Sequence, residues 1–225
     1  MIKDRMAVLT AMMDQGVIPV FYHADTEVCR NVIQACANGG AKCIEFTNRG
    51  DFAAALFLDL ARHFAKADPS VIMGVGSIVD APTAAIYIAN GAKFVVGPLL
   101  NPEVARVCNR RKIPYSPGCG TASEIGQAEE LGCEIVKIFP GESVGGPAFV
   151  KAVMAPCPWT KLMPTGGVDP TEASLKEWFG AGIVAAGIGS KLITKELLEA
   201  KNYAGIEKKV RETIDLVRTI RGKTK

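Results

Sequence analysis

The stretch VIMGVGSIVDAPTAAIYIANGAKFVVG (71–97) contains one complete strand–helix–strand unit of this protein. The apolar run VIMGVG (71–76) ends in glycine, a helix-like segment follows at Ala81–Asn90, and the next apolar run is KFVVG (93–97). Runs that are apolar throughout are typical of strands buried on both faces, which occur in parallel sheets. This unit therefore predicts two parallel strands joined by a helix.

The same alternation of strand and helix continues along the whole chain, with eight strand-like runs and no hairpin dipeptide between them. The runs are VIPVFY (17–22), KCIEF (42–46), VIMGVG (71–76), KFVVG (93–97), KIPYSP (112–117), EIVKIF (134–139), KLMPT (161–165) and IVAAGI (183–188). The helix-like segments are Asp25–Asn38, Asp51–Lys66, Ala81–Asn90, Pro102–Arg110, Ala122–Leu131, Pro147–Met154, Pro170–Phe179 and one from Lys191 onward. Eight such units predict an α/β fold of the closed (β/α)8 TIM-barrel type. The competing open, doubly wound sheet is disfavoured, because each G-x-G sequence lacks the third glycine of the dinucleotide fingerprint.

The domain organisation predicted from this pattern is a single TIM-barrel domain over residues 1–225. Apolar residues three to four apart predict an amphipathic N-terminal helix within 1–15, which precedes the first strand and would cover the bottom of the barrel. The barrel core is expected at 16–192 and a C-terminal helical extension at 193–225. The basic end TIRGKTK (219–225) is interpreted as a frayed helix end and an exposed tail.

Composition excludes several classes of protein and partner. Apolar residues make up 48% of the 225 residues and the net charge is +3, which indicates a globular protein and argues against a nucleic-acid partner. No uninterrupted apolar stretch reaches the length of a membrane span. The seven cysteines are an odd number without a C-x-x-C motif, which favours reduced thiols in a cytoplasmic protein and argues against a structural metal.

Lys137 is the candidate catalytic residue, because it stands late in an otherwise apolar strand, EIVKIFP (134–140). The active site of a barrel lies at the carboxyl ends of its strands, where a desolvated lysine can attack a carbonyl as a neutral amine. Glu45 occupies the equivalent late position of the second strand and is the candidate general acid/base, with Arg49 nearby as a carboxylate clamp. The alternative interpretation is a structural pair between Lys137 and a buried carboxylate.

Two glycine-rich loops point to a bound anion. PTGG (164–167) follows the seventh strand and GIGS (187–190) follows the eighth, which are the loops that often bind phosphate in barrels. Backbone N–H groups and hydroxyls of Thr165, Gly166, Gly167, Gly189 and Ser190 would hold it. The alternative is that these glycines only form tight turns.

Five short motifs in one order resemble a known family. They are IPV (18–20), IE-x-T-x-R (44–49), VKIFP (136–140), PTGG (164–167) and GIGS (187–190), and the similarity extends from about residue 16 to 192. The chain resembles the 2-keto-3-deoxy-6-phosphogluconate (KDPG) aldolases, whose members also cleave 4-hydroxy-2-oxoglutarate (KHG). The resemblance implies a class I, metal-independent aldolase without a cofactor, usually a homotrimer, that acts on a phosphorylated 2-keto acid and releases pyruvate.

Residue roles also follow from the resemblance. It implies that Lys137 forms the Schiff base, that Glu45 transfers protons, and that Arg49 and Ser77 bind the pyruvate carboxylate. The remaining expected substrate contacts are Thr47, Pro98, Phe139, Thr165, Gly166, Gly167, Gly189 and Ser190. Loops such as Gly97–Leu99 depart from the family pattern, which leaves the galactonate epimer open as the substrate. A phosphate-binding isomerase and, less favoured, a non-catalytic binding protein are the alternatives.

Overall fold

The computed structural model describes residues 4–222, which contain nine strands and ten helices. Residues 1–3 of the predicted N-terminal helix and residues 223–225 of the predicted tail lie outside this range. The strands are β1 Val17–Phe21, β2 Cys43–Thr47, β3 Ile72–Gly76, β4 Val95–Val96, β5 Tyr115–Ser116, β6 Gly118–Cys119, β7 Val136–Ile138, β8 Leu162–Pro164 and β9 Ala186–Ile188. The helices are α1 Arg5–Gln15, α2 Thr26–Asn38, α3 Ala53–Ala67, α4 Ala81–Ala89, α5 Pro102–Arg111, α6 Ala122–Glu130, α7 Gly146–Met154, α8 Glu172–Gly180, α9 Lys195–Glu199 and α10 Tyr203–Ile220.

The strands form two parallel sheets, and the predicted closed eight-stranded TIM barrel is therefore wrong. The larger sheet has six strands in the order β5-β4-β3-β2-β1-β9, and the smaller has three in the order β6-β7-β8. Both sheets are parallel throughout, as the apolar runs predicted. The difference from the prediction lies in where the hydrogen-bonded ladder is interrupted.

The first interruption falls at Pro117, the last residue of the predicted fifth strand (112–117). Tyr115–Ser116 pairs with β4, whereas Gly118–Cys119 pairs with β7. Proline has no N–H group and cannot donate to a ladder. Its carbonyl still accepts a hydrogen bond from the Lys137 N–H at 3.0 Å. The predicted strand is therefore shortened to Tyr115–Ser116, and a second short strand, Gly118–Cys119, follows it in the other sheet.

The second interruption lies between β8 and β9. Thr165 and Gly187 form an isolated parallel bridge, and the Val184 N–H donates to the Leu162 carbonyl at 3.0 Å. Pro164 closes β8 and, like Pro117, has no N–H to donate. This sparse pairing leaves the edge of the three-stranded sheet separate from β9.

An inner apolar cluster fills the space that the two sheets enclose. Side chains from both sheets contribute to it, among them Ile18, Val96 and Met163, and helix α1 adds Val8, Leu9 and Met12. The cluster lies beside the amino ends of the strands, so α1 covers that end with its buried face. The larger apolar cluster lies between the strands and the outer helices.

Local sequence explains where most helices begin. The Asp25 side chain accepts hydrogen bonds from the N–H groups of Glu27 and Val28 and so caps α2, and similar Asp, Asn or Thr caps start α4, α5, α6 and α8. Helix α3 differs from the prediction. It begins at Ala53 rather than Asp51, because Phe52 adopts a left-handed conformation (φ 64°) that no helix can include.

The C-terminal segment folds into two helices, α9 and α10. Helix α10 packs against α2 and α8, and the fit is close: a Cβ at Gly39 would lie 2.7 Å from the Glu207 carbonyl oxygen. Within the segment 219–225, interpreted as a frayed helix end and an exposed tail, the interpretation is wrong for residues 219–221. The helix continues to Ile220, and the Arg221 guanidinium donates to the Met13 carbonyl at 2.6 Å, which fixes the end of the helix to α1. None of the helices in residues 4–222 is long and apolar enough to span a membrane.

Candidate active site

Lys137 and Glu45 are buried on the inner faces of their strands. Lys137 lies in the middle of β7 and is 5% exposed, and Glu45 lies in β2 and is 2% exposed. Alternation along each strand points both side chains to the same side as Ile135 and Cys43 of the inner cluster. The Lys137 ammonium lies 4.5 Å above the centre of the Phe139 ring, a contact in the range of cation–π interactions. The structure therefore brings the predicted amine and carboxylate into one buried space.

Burial changes the acidity of both groups in opposite directions. Desolvation lowers the pKa of the Lys137 amine, and the nearby Glu45 carboxylate acts against this shift. Desolvation also raises the pKa of the Glu45 carboxyl group, while Lys137 acts to lower it. A lowered lysine pKa increases the fraction of neutral amine, which is the nucleophilic form. This is the electrostatic environment that an amine nucleophile and a proton-transfer carboxylate require.

The Glu45 carboxylate occupies space that Gly76 leaves free. A Cβ built on Gly76, the last residue of β3, would lie 1.7 Å from Glu45 Oε1 and 2.5 Å from its Cδ. The other oxygen, Oε2, is buried and has no hydrogen-bond partner among the described residues. An unsatisfied buried carboxylate oxygen is costly and is common where a ligand or a proton is exchanged.

A cleft of about 310 Å³ at the carboxyl ends of β1, β2 and β9 brings several predicted substrate contacts together. Its walls include the predicted residues Thr47, Arg49, Gly189 and Ser190, together with Tyr22 and Lys195, which the sequence analysis did not predict. Thr47 is buried, whereas the Arg49 and Ser190 side chains are exposed to solvent. The cleft therefore presents two cations and hydroxyl groups from three sides, as an anionic ligand requires.

The predicted phosphate loop PTGG is held in place by the neighbouring loop after β7. Gly141 N–H donates to the Thr165 carbonyl at 2.9 Å, and Glu142 N–H donates to the Gly166 carbonyl at 3.1 Å. Gly166 and Gly167 have positive φ values of 88° and 82°, so glycine is required there by the backbone conformation. The Thr165 hydroxyl is buried without a hydrogen-bond partner in the described chain and faces Gly187.

Ser77 and Pro98 lie in the loops that follow β3 and β4. Both are half-buried, and Ser77 has a left-handed backbone with φ 60°. The Pro98 carbonyl approaches β6 closely, because a Cβ on Gly118 would lie 2.3 Å from it. No hydrogen bond joins the Ser77 hydroxyl to another residue within 4–222, so their contribution to a substrate site stays a prediction.

Several residues of the site region were not found from the sequence. Gly74 and Gly76 stand two residues apart on one face of β3, a pattern that signals close approach of neighbouring side chains and could have identified Gly76. Tyr22 and Lys195 follow no motif and become visible only when the loops after β1 and β9 meet. Within residues 4–222 no group of three or more His, Cys, Asp or Glu side chains is arranged to hold a metal ion.

Comparison with known proteins gives consistent matches over almost the whole chain. Residues 8–209 match the family model described as KDPG and KHG aldolase. The chain is 31% identical to the 2-dehydro-3-deoxy-phosphogluconate aldolase of Treponema pallidum, over 89% of this chain and 93% of that protein. It is 30% identical to the KHG/KDPG aldolase of Escherichia coli K12, over 88% of this chain and 91% of that protein.

A solved structure extends the similarity to three dimensions. The KDPG aldolase of Legionella pneumophila, with pyruvate captured at low pH as a covalent carbinolamine intermediate, superposes with a TM-score of 0.83 at 25% identity. The match covers 94% of this chain and 98% of that one.

Proposed function

The chain belongs to the KDPG and KHG aldolase family, and from this we propose that it cleaves KDPG to pyruvate and glyceraldehyde 3-phosphate through a Schiff base on Lys137. The observation that carries the proposal is the buried Lys137 beside Glu45, on strands β7 and β2. Desolvation lowers the pKa of the amine and so favours its neutral form, which is the nucleophile that imine formation requires.

The reaction begins when the neutral Lys137 Nζ attacks the C2 ketone of the substrate. Loss of water gives a protonated imine, which withdraws electrons from the neighbouring carbon. A base removes the C4 hydroxyl proton, the C3–C4 bond breaks, and its electron pair moves to C3 to form an enamine. The aldehyde product then leaves. Glu45, through a water molecule, returns a proton to C3, and hydrolysis of the imine releases pyruvate and free Lys137.

Glu45 suits this proton-transfer role because its environment favours reversible protonation. Desolvation raises its pKa above the ordinary value of a glutamate, which favours the proton-bound form and so helps the carboxyl group both to accept and to return a proton. A positioned acid/base of this kind typically contributes about 10²- to 10⁴-fold to the rate. Its unpaired oxygen Oε2 is available for a water or a substrate atom.

The two ends of the substrate are assigned to different groups. Arg49, with Thr47 and Ser77, binds the carboxylate of the pyruvyl part, and Phe139 and Pro98 border it. The phosphate is held by the loops that follow β8 and β9, through the residues Thr165, Gly166, Gly167, Gly189 and Ser190. Support comes from the exposed Arg49 and Ser190 side chains in one cleft and from the two positive-φ glycines of the PTGG loop.

KHG is the second proposed substrate, cleaved to pyruvate and glyoxylate. The Escherichia coli relative is named for both activities, and the chemistry at Lys137 is the same for both substrates. We further propose that the active form is a homotrimer in the cytoplasm, as the family resemblance implies. Seven free thiols, six of them buried, are compatible with a reducing compartment.

Trapping with borohydride tests the proposed chemistry directly. Incubation with pyruvate and sodium borohydride should reduce one imine to a stable adduct, which peptide mass spectrometry should locate on Lys137. A label on Lys93 or Lys161, or no label, would contradict the proposal and favour an isomerase in which Lys137 acts only electrostatically. Lys137→Arg should be inactive although it keeps the charge, since a guanidinium stays protonated.

A coupled assay for pyruvate release then determines substrate preference. It compares KDPG, its galactonate epimer and KHG at equal enzyme concentration. We expect the highest kcat/KM with KDPG, and a higher value with the epimer would reassign the sugar-acid specificity without changing the imine chemistry.

A further inference from the structure

Tyr87 carries a buried hydroxyl group that the proposed mechanism does not use. This residue lies on α4 and is 0% exposed, and its ring packs edge-on against Phe57 of α3 with centroids 5.2 Å apart. The hydroxyl donates a hydrogen bond to Asn48 Oδ1 at 2.7 Å. Burial raises the pKa of Tyr87 to about 12, so the phenol remains a proton donor at every working pH.

Asn48 stands between two residues of the substrate cleft, Thr47 and Arg49. Its backbone N–H donates to the Gly76 carbonyl at 2.9 Å and so continues the pairing of β2 with β3 by one residue. Its side chain is fixed by Tyr87. Asn48 is therefore anchored at two points, one in the sheet and one in the outer helices.

The next residue, Arg49, has no such support of its own. Its side chain is exposed and forms no hydrogen bond or ion pair with any residue in 4–222. Gly50 follows with φ 81°, and Phe52 is left-handed as well, so the chain turns sharply directly after Arg49. In the part of the chain that the structure describes, the hydrogen bonds of the turn 48–50 are all made by Asn48.

We propose that Asn48 and Tyr87 are positioning residues whose hydrogen bond orients Arg49 toward the carboxylate of a 2-keto acid. The inference rests on the proposed function, because it concerns the carboxylate of that substrate. Tyr87 acts through Asn48 and touches neither the substrate nor the reacting atoms. Without this bond the turn keeps the hydrogen bond from the Asn48 N–H to the Gly76 carbonyl. It loses the hydrogen bond between Tyr87 and Asn48, which sets the direction of the Arg49 side chain.

The test measures KM and kcat separately for Tyr87→Phe and Asn48→Ala with KDPG. KM should rise about threefold to tenfold in each variant, which is equivalent to about 0.7–1.4 kcal/mol and lies within the net contribution of a neutral hydrogen bond. The carboxylate is bound equally in the ground state and the transition state, so kcat should stay within about twofold. The double variant should lose no more than either single variant, since both remove the same bond.

If Tyr87 acts by orienting Arg49, the effect of Tyr87→Phe on KM should require Arg49, whereas a general structural effect should not. In an Arg49→Met background, Tyr87→Phe should leave KM unchanged within about twofold, because no guanidinium remains to be oriented. Asn90→Ala is the matched control. Asn90 lies just after α4 and donates to the Ala54 carbonyl at 3.1 Å, so its loss weakens the α3–α4 contact without touching the turn, and KM should be unchanged.

Three outcomes would overturn the inference. These are an unchanged KM in Tyr87→Phe and Asn48→Ala, an equal rise in the Arg49→Met background, or an equal rise in Asn90→Ala. A wild-type protein that releases no pyruvate would overturn the proposed function and this inference with it. An active wild type with unaffected variants overturns the inference alone.

Discussion

Substituting Gly76 by alanine should disable proton transfer while leaving the fold almost intact. The new Cβ would lie 1.7 Å from Glu45 Oε1, and real Cβ contacts are not shorter than 3.0 Å, so the carboxylate must move by more than 1 Å. The moving group is the free end of a flexible side chain, so the cost in stability should be small. A displacement of about 1 Å can cost about 100-fold in rate, and complete loss of an acid/base costs up to about 10⁴-fold.

The expected result for Gly76→Ala is a fall of about 10²- to 10³-fold in kcat for KDPG cleavage. Exchange of the pyruvate methyl protons with D₂O should fall by a similar factor, because that exchange also requires the proton-transfer group. Borohydride should still trap pyruvate on Lys137, since the amine itself is not displaced. The midpoint of thermal unfolding should change little.

Gly74→Ala is the matched control on the same strand and the same face. Its Cβ would lie 2.2 Å from the Phe94 ring, which is rigid and enclosed in the inner cluster. Overpacking of this kind costs about 1–3 kcal/mol of unfolding free energy, but it does not reach Glu45. Gly76→Ala should therefore lose activity but keep its stability, whereas Gly74→Ala should lose stability but keep its activity. Equal loss of activity in both, or a Gly76→Ala enzyme within threefold of wild type, would refute the reasoning.

Three further predictions concern phosphate, metal and stability. Ser190→Ala should lower kcat/KM for KDPG about 10- to 100-fold, since a charge-assisted hydrogen bond to the phosphate contributes about 1.5–3 kcal/mol. The kcat/KM for KHG, which has no phosphate, should change less than about threefold. Equal losses with both substrates would contradict the phosphate assignment. Activity should survive excess EDTA, because an imine replaces the Lewis acid of metal-dependent aldolases, and a loss restored only by divalent metal would argue against class I chemistry. The inactive double variant Glu45→Leu/Lys137→Met should be about 1–4 kcal/mol more stable than wild type to urea at pH 7, because both buried ionisable groups are replaced by apolar side chains of similar volume. This gain in stability should shrink below pH 4.5, the ordinary pKa of Glu45, because the carboxyl group is then uncharged in the unfolded chain as well and its burial carries no charge penalty. It should also shrink above pH 10.5, the ordinary pKa of Lys137, because the amine is then neutral in the unfolded chain too. A wild type that is more stable than the double variant at pH 7 would contradict the prediction.

The sequence predicted the parallel strands well because their signal is local. Each apolar run is short, uninterrupted and bounded by glycine or polar residues, and alternation along β2 and β7 predicted the inner positions of Glu45 and Lys137. A lysine in the middle of an apolar run is unusual, and this made Lys137 the candidate nucleophile before its burial in β7 was known.

Closure of the sheet could not be predicted in the same way, because it depends on hydrogen bonds between strands distant in sequence. Pro117 ends the fifth apolar run in the sequence. Whether it interrupts the sheet depends on which strands pair with the residues on either side of it, and the sequence does not show this. The Asn48–Tyr87 bond connects residues 39 positions apart on different elements, and no periodicity links them. The predicted start of α3 at Asp51 was wrong because Phe52 has a left-handed backbone. This conformation is rare for a bulky residue, so it is not predicted from sequence.

The position of helix α10 has a consequence for synthesis of the protein on the ribosome. Helix α10 packs against both α2 and α8, and α2 precedes it by about 165 residues. The apolar surface of α2 that α10 covers is therefore exposed while those residues are translated. The side chains that cover it, Val210 and Ile214 of α10, lie beside Gly39 and Gly40 at the end of α2 and emerge from the exit tunnel only after this stretch. The nascent chain therefore carries an exposed apolar strip until α10 has emerged, and chaperones bind surfaces of this kind.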